Sequence, residues 1–144
     1  MTLEELSTKL ELAELVDKCA VAVDKGDYEA ATACFTPDAE STGYNTEGKE
    51  VFHYVGTEEI QKGFRDLLAP YATPYHVNAQ KIFELDGDTA KGTVYCQDFY
   101  VVRYKSGRGS ILEQGCVYDD SYVKQDGKWL IKSRTVTSKW REER

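Results

Sequence analysis

Histidine is scarce in this chain of 144 residues: His53 and His76 are the only two. No His–Cys cluster with metal-ligand spacing can be drawn from so few, and no CxxC occurs among Cys19, Cys34, Cys96 and Cys116. Proline is also rare, at three residues, and no repeat, low-complexity run or linker interrupts the chain. Positive charge is in deficit. Eighteen Lys and Arg stand against 25 Asp and Glu, a net charge of -7. That argues against the basic face by which proteins hold nucleic acid and against binding to an anionic membrane surface. No apolar run approaches the roughly 20 residues of a membrane span. GxSxG and phosphate-loop motifs are missing, and Gly107-Arg108-Gly109 reads as a flexible loop.

Aromatic side chains, in contrast, are abundant, with ten Tyr, five Phe and two Trp, and 41% of residues are apolar. Residues 1–144 fit one domain, and a chain of this length folds without a disulfide or metal staple. The charged, helix-patterned start, Met1 to Leu12, is unlike a signal peptide. Four widely spaced cysteines among apolar neighbours are expected to be free thiols, which suggests a cytoplasmic location. Cys96 and Cys116, on strands that can neighbour each other, are the pair with most opportunity to bond.

Leu3, Leu6, Leu10, Ala13, Val16, Ala20 and Val23 recur at spacings of three and four, which predicts a long amphipathic helix. Gly26 ends it and Asp27 caps a second helix, Tyr28 to Phe35, stopped by Thr36-Pro37. Asp38–Tyr44 and Glu50–Val55 read as strands about the turn Asn45-Thr46-Glu47-Gly48. Thr57 is expected to cap a third helix bearing Ile60, Phe64, Leu67 and Leu68. From Pro74 onward the pattern is strand: Tyr75–Leu85 and Thr89–Tyr104 about Asp86-Gly87-Asp88, then Ser110–Lys124 and Trp129–Trp140 about Gln125-Asp126-Gly127-Lys128. Strands this long must coil or bulge. The expected fold is α+β: a cone-shaped barrel of strongly curved, mainly antiparallel sheet, with three N-terminal helices enclosing an apolar pocket.

Several polar residues sit where core residues belong. Asp24 falls in the apolar stripe of the first helix, at the end where the helix dipole opposes negative charge. It is either a buried carboxylate or a solvated residue at a frayed helix end. His76 lies near the start of the third strand, as a structural residue or a base. Asp98 interrupts Val94–Val102 and shares its parity with Val94, Cys96, Tyr100 and Val102, unless a bulge turns it outward. Tyr44, Tyr54 and Tyr95 supply candidate hydroxyls. Arg134 reads as a residue paired on the outer face of the sheet, or as an anion support.

Ala22-Val23-Asp24-Lys25-Gly26-Asp27-Tyr28, Phe35-Thr36-Pro37-Asp38-Ala39, Gly56-Thr57-Glu58-Glu59-Ile60, Tyr118-Asp119-Asp120-Ser121-Tyr122 and Asp126-Gly127-Lys128-Trp129-Leu130-Ile131 together resemble the SnoaL-like branch of the nuclear transport factor 2-like superfamily. The nearest members are dehydratases and eliminases such as bile-acid 7α-dehydratase and scytalone dehydratase. The resemblance implies a single SnoaL-like domain over residues 1–144 and an Asp–His dyad at Asp24 and His76. It further implies Tyr44 and Asp98 as catalytic partners. Cys19 stands where related dehydratases carry a tyrosine. With Tyr54 and Tyr95 it is expected in the substrate-binding wall.

The implied activity is that of a cofactor-independent, metal-free dehydratase, a lyase acting on a hydrophobic steroid-like or polyketide-like molecule. The alternatives are an isomerase or cyclase of the same fold, or a non-catalytic ligand-binding or dimerisation module. A homodimer or homotrimer is expected to cover an outer sheet face that includes Val117, Tyr122 and Trp140.

Overall fold

A computed structural model describes residues 1–69, 73–103 and 106–144, without the side chain of Arg103. Helix α1 (Leu3–Asp24) opens with Thr2 and Glu5 in a reciprocal capping box and runs to Asp24 without fraying. Gly26, at φ +72°, then supplies the left-handed turn that ends it. The buried side of α1 is Leu12, Leu15, Val16, Cys19, Ala22 and Val23. Leu3, Leu6 and Leu10, expected in the same stripe, are exposed. The core therefore begins only after the helix's first two turns.

Asp27 caps α2 (Tyr28–Thr32), accepting from the Ala30 N–H at 3.1 Å. The second helix stops at Thr32, short of the expected Phe35. Phe35, Thr36 and Pro37 instead open strand β1 (Phe35–Tyr44). Proline is tolerated there because the register of β1 against its neighbour breaks between Phe35 and Glu40. A hairpin leads to β2 (Glu50–Val55), and helix α3 (Thr57–Leu68) follows. Gly56, at φ +86°, takes the cap position of α3, so Thr57 is the first helical residue. Four long strands complete the chain: β3 (Thr73–Asp86), β4 (Thr89–Arg103), β5 (Gly109–Gln125) and β6 (Lys128–Glu143). Tyr104, the expected end of β4, lies outside the described residues. Asp126 and Gly127 both take positive φ in the tight turn before β6.

One six-stranded sheet results, in the order β2-β1-β6-β5-β4-β3. All neighbours are antiparallel except β1 with β6. The sheet is curved but unclosed, and three helices accompany it, a mixed α+β fold with an open sheet rather than a closed barrel. Leu12 and Val16 of α1 meet Val94 and Ile131 of the sheet in the central core, all four at 1% exposure or less. Each such side chain contributes roughly 1.5–3 kcal/mol by leaving water. Among the described residues no helix is long and apolar enough to cross a membrane.

Two bulges in β6 decide which residues face inward. Ser121 pairs with Ser133 but Tyr122 with Ile131, which makes Lys132 an extra residue. Gly115 pairs with Trp140 but Cys116 with Ser138, which makes Lys139 another. Each extra residue reverses the alternation of side chains along the strand. Of the three residues assigned to the outer face from sequence, Tyr122 is 1% exposed and packs edge-on against Phe83 inside the core. Val117 and Trp140 do lie on the face opposite the cavity-lining Cys116 and Tyr118, Val117 buried there opposite Tyr95 and Trp140 partly exposed with its indole over Gly115.

Candidate active site

The register of the long strands builds a polar row on the inner face. His76 of β3 lies opposite Asp98 of β4, Asp98 opposite Gln114 of β5, and Gln114 opposite Arg141 of β6. Tyr100 follows Asp98 at the next inward position of β4. Asp24, at the C-terminal end of α1, reaches this row from the helical layer. Its Oδ1 lies 2.6 Å from His76 Nδ1, and its Oδ2 accepts the His76 backbone N–H at 2.9 Å. Two bonds from one carboxylate hold both the ring and the backbone of His76. The imidazole side chain is 10% exposed and the Asp24 side chain 22%. Asp24 is thus a half-buried partner rather than a solvated turn residue.

On the far side of the ring, His76 Nε2 is 3.3 Å from the Tyr100 hydroxyl and 3.7 Å from Asp98 Oδ2. Tyr100 donates to Asp98 Oδ2 at 2.6 Å, and Gln114 Nε2 donates to the same oxygen at 3.1 Å. Ser138 donates to Gln114 Oε1 at 3.3 Å, which fixes the amide with its nitrogen toward Asp98. Asp98 faces inward, as its parity requires, and is 3% exposed. Burial pushes its carboxyl above the usual carboxylate range, against the Tyr100 hydrogen bond and the nearby imidazole, which favour the ionised form. Burial, reinforced by the adjacent Asp98 charge, holds the Tyr100 hydroxyl protonated well past its ordinary range.

These groups line a cavity of about 360 Å³, within the size range of small-molecule sites. His76, Asp98, Tyr100, Tyr44, Cys19 and Arg134 all contribute to its wall, with Val16, Leu68 and Leu112 among the apolar remainder. Asp24 stands behind His76, outside the lining.

Two of the expected wall residues lie elsewhere. Tyr54 faces a separate space of about 80 Å³ beside α3, where its ring stacks on Phe52 with centroids 5.1 Å apart. Tyr95 is 47% exposed on the opposite face of β4 from Asp98, because adjacent residues of a strand point to opposite sides. His53 is also outside, 3.7 Å from Glu40.

Arg134 is not on the outer face. It is buried, donates from Nε and Nη2 to the two oxygens of Asp120 at 2.8 Å each, and lies 4.3 Å over the Tyr118 ring. Burial disfavours its charge, but the Asp120 carboxylate outweighs that and keeps it a firm cation. Asp120 also accepts from the Tyr122 hydroxyl at 2.7 Å. Sequence reasoning missed Tyr100, Gln114 and the Asp120–Arg134 pair. Tyr100, Gln114 and Asp120 carried the same signal as Asp98, polar atoms at inward parity in a long strand. Arg134 did not, because the bulge at Lys132 reverses its parity.

A family model for the SnoaL-like domain matches residues 4–135. An uncharacterized protein of Mycobacterium tuberculosis is 27% identical over 137 residues, covering 95% of this chain and 89% of its own. A hexachlorocyclohexane dehydrochlorinase of Novosphingobium barchaimii superimposes with a TM-score of 0.82 at 18% identity, covering 99% of this chain and 93% of that one. A protein described as a scytalone dehydratase, from Novosphingobium aromaticivorans, superimposes at 0.80 with 21% identity, covering 99% and 91%. The structural likenesses speak for the fold, while the family match spans nearly the whole sequence: the chain belongs to the SnoaL-like family.

Proposed function

We propose that this protein is a cofactor-independent lyase that removes water from a hydrophobic, steroid-like or polyketide-like hydroxy-carbonyl compound by general acid–base catalysis. The observation that carries this reading is the row of Asp24, His76, Tyr100 and Asp98, each within reach of the next, on the wall of an apolar cavity.

A carboxylate oxygen can only accept a hydrogen bond, so the ring hydrogen of His76 sits on Nδ1, toward Asp24. Nε2 then keeps its lone pair. The Tyr100 hydroxyl does not consume that pair, because its hydrogen goes to Asp98. Nε2 is therefore the base, and it removes a proton from the carbon next to the substrate carbonyl. Tyr44, in the cavity wall, polarises that carbonyl and stabilises the developing enolate. Asp98, whose carboxyl burial raises above its ordinary value, is the group placed to give a proton to the hydroxyl leaving from the adjacent carbon.

Once charged, His76 passes its Nε2 proton to the Tyr100 oxygen as Tyr100 passes its own hydrogen to Asp98 Oδ2. One C–H proton enters at His76 and one proton leaves in water at Asp98, so the enzyme ends as it began. Cys19 occupies cavity wall without offering a comparable hydrogen bond, which leaves room for an apolar substrate edge at that point. The dehydrochlorinase and dehydratase names among the similar folds are in keeping with elimination.

The experiment is a panel of steroid and polyketide β-hydroxy ketones incubated with the wild type, His76→Ala and Asp98→Asn, and read by mass spectrometry. Loss of water in the wild type alone supports the reading. A product of unchanged mass assigns an isomerase or cyclase. Ligand-induced thermal stabilisation without turnover, the same in all three proteins, assigns a binding module.

A further inference from the structure

Among the described residues, two guanidinium groups line the cavity, and they differ in what they already hold. Arg134 is buried and spent on Asp120, with both contacts at 2.8 Å. Arg141 is exposed, and among the described residues no carboxylate lies within ion-pair reach of it. Arg144, three residues on, is by contrast paired with Glu113 at 2.8 Å. A side chain that is both exposed and part of the lining stands at the rim, so Arg141 marks the mouth of the cavity.

A bulge brings it there. Cys116 pairs with Ser138 and Gly115 with Trp140, which leaves Lys139 extra. Strict alternation from the cavity-lining Ser138 would send Trp140 inward and Arg141 outward, and the extra residue exchanges them. Trp140 lies outside, over Gly115, where a Cβ would come within 2.2 Å of its Nε1. Glycine at position 115 thus makes room for the indole and holds the reversed alternation in place. Bulges beside a site commonly re-aim a side chain in this way.

Charge adds to the case. The lining includes a single carboxyl group, that of Asp98, which is already engaged by Tyr100 and Gln114. With Arg134 neutralised by Asp120, Arg141 is left as a cation without a counter-charge at the entrance, in a protein of net charge -7.

We propose that Arg141 receives a carboxylate group of the substrate at the cavity mouth, so that the molecule dehydrated here is an apolar acid. This rests on the reading of the cavity as the substrate site of a lyase. A guanidinium offers two parallel N–H donors that match the two oxygens of a carboxylate. Asp98, Gln114 and Arg141 stand in register on successive strands, so the backbones of Asp98 and Arg141 are about 10 Å apart at roughly 4.8 Å per strand. The acidic group therefore lies about 10 Å from the leaving hydroxyl, and the apolar body between them rests on Phe52, Leu112 and Val136.

The test needs no turnover. The probes are 4-(2-naphthyl)butanoic acid and its primary amide, which differ only at the charged end. Their binding to the full-length protein is measured by isothermal titration calorimetry at neutral pH. The acid should bind the wild type roughly fivefold more tightly than the amide, the upper end for a solvent-exposed ion pair. Added salt should erode that preference. Arg141→Gln should abolish it by weakening the acid alone, and Arg141→Lys should restore part of it. Neither probe can lose water, so these results stand apart from the dehydration panel: a lyase indifferent to acids and a binder of acids that eliminates nothing are separate outcomes. Equal affinities of acid and amide for the wild type, no detectable binding of the acid, or an acid affinity untouched by Arg141→Gln would each overturn the proposal.

Discussion

Asp24 grips His76 twice, at the ring nitrogen and at the backbone amide, from a residue 52 positions earlier in the chain. The backbone bond keeps the carboxylate in place while the ring bond fixes which nitrogen carries hydrogen. Support and chemistry are thereby joined in a single side chain.

Asp24→Asn separates them. The amide oxygen can still accept the His76 backbone N–H, which turns the amide nitrogen toward Nδ1. Nδ1 must then accept, and the ring hydrogen moves to Nε2, the position proposed for the base. The expected result is a stability loss of about 1 kcal/mol or less and a fall in kcat of roughly 10²–10⁴-fold. Nitrogen-15 NMR of the imidazole should show the tautomer switch directly, and an identical tautomer in both proteins would refute the dyad. Combining Asp24→Asn with His76→Ala should cost little more than His76→Ala alone, because the two act as one unit.

Asp98 makes a pH prediction with a definite sign. Its carboxyl is raised in the folded protein by burial, whereas the unfolded value is near about 3.9. Between those values the native state holds a proton that the unfolded state has lost, so stability falls as pH rises and levels off above the folded value. Asp98→Asn removes that dependence. Urea midpoints of the two proteins should therefore diverge with increasing pH above about 4, in favour of the variant.

The Asp120–Arg134 pair should behave as a buried ion pair does when halved. Its side chains are 0% and 9% exposed. Asp120→Ala strands a cation beside Tyr118 and should cost about 3–5 kcal/mol. The double replacement Asp120→Leu with Arg134→Met should cost clearly less, since no lone charge remains. Equal losses in chemical denaturation would mean that water reaches the site.

Gly43 in β1 lies beneath the Phe52 ring. A Cβ there would come within 1.9 Å of Phe52 Cε2. Gly43→Ala must push an aromatic ring that lines the cavity, and should destabilise by about 1–3 kcal/mol through overpacking. Calorimetry reads the loss, and a neutral result would mean that Phe52 has a second seat.

Alternation explains most of what the sequence made legible. Asp98 was findable because a charged residue at core parity in a long strand demands a reason, whereas position left His76 and Asp24 ambiguous and only the family resemblance paired them. Tyr95 was misassigned to the cavity wall although its odd spacing from Asp98 already put it on the other face. Arg134 and Arg141 were beyond such counting. Each lies past an unpaired residue of β6, and nothing in the local composition marks Lys132 or Lys139 as the extra one. The early end of α2 was hidden likewise, since Phe35 satisfies a helix stripe as well as a buried strand position.

The one parallel pairing, β1 with β6, has a consequence for how the molecule is made. Strands β3 to β6 join successive neighbours and can zip from their turns, whereas β1 finds its partner roughly a hundred residues later, at Ile131 and beyond. On the ribosome, β1 cannot take its place beside β6 until residues 128–143 emerge. Until β6 arrives, Phe35 and Ala39 have no strand to lie against on that side and Arg134 is absent from the cavity wall. Folding order thus makes completion of the pocket wait on β6, and a chain cut before residue 128 keeps Asp24, His76 and Asp98 but lacks the wall that Arg134, Val136 and Ser138 supply.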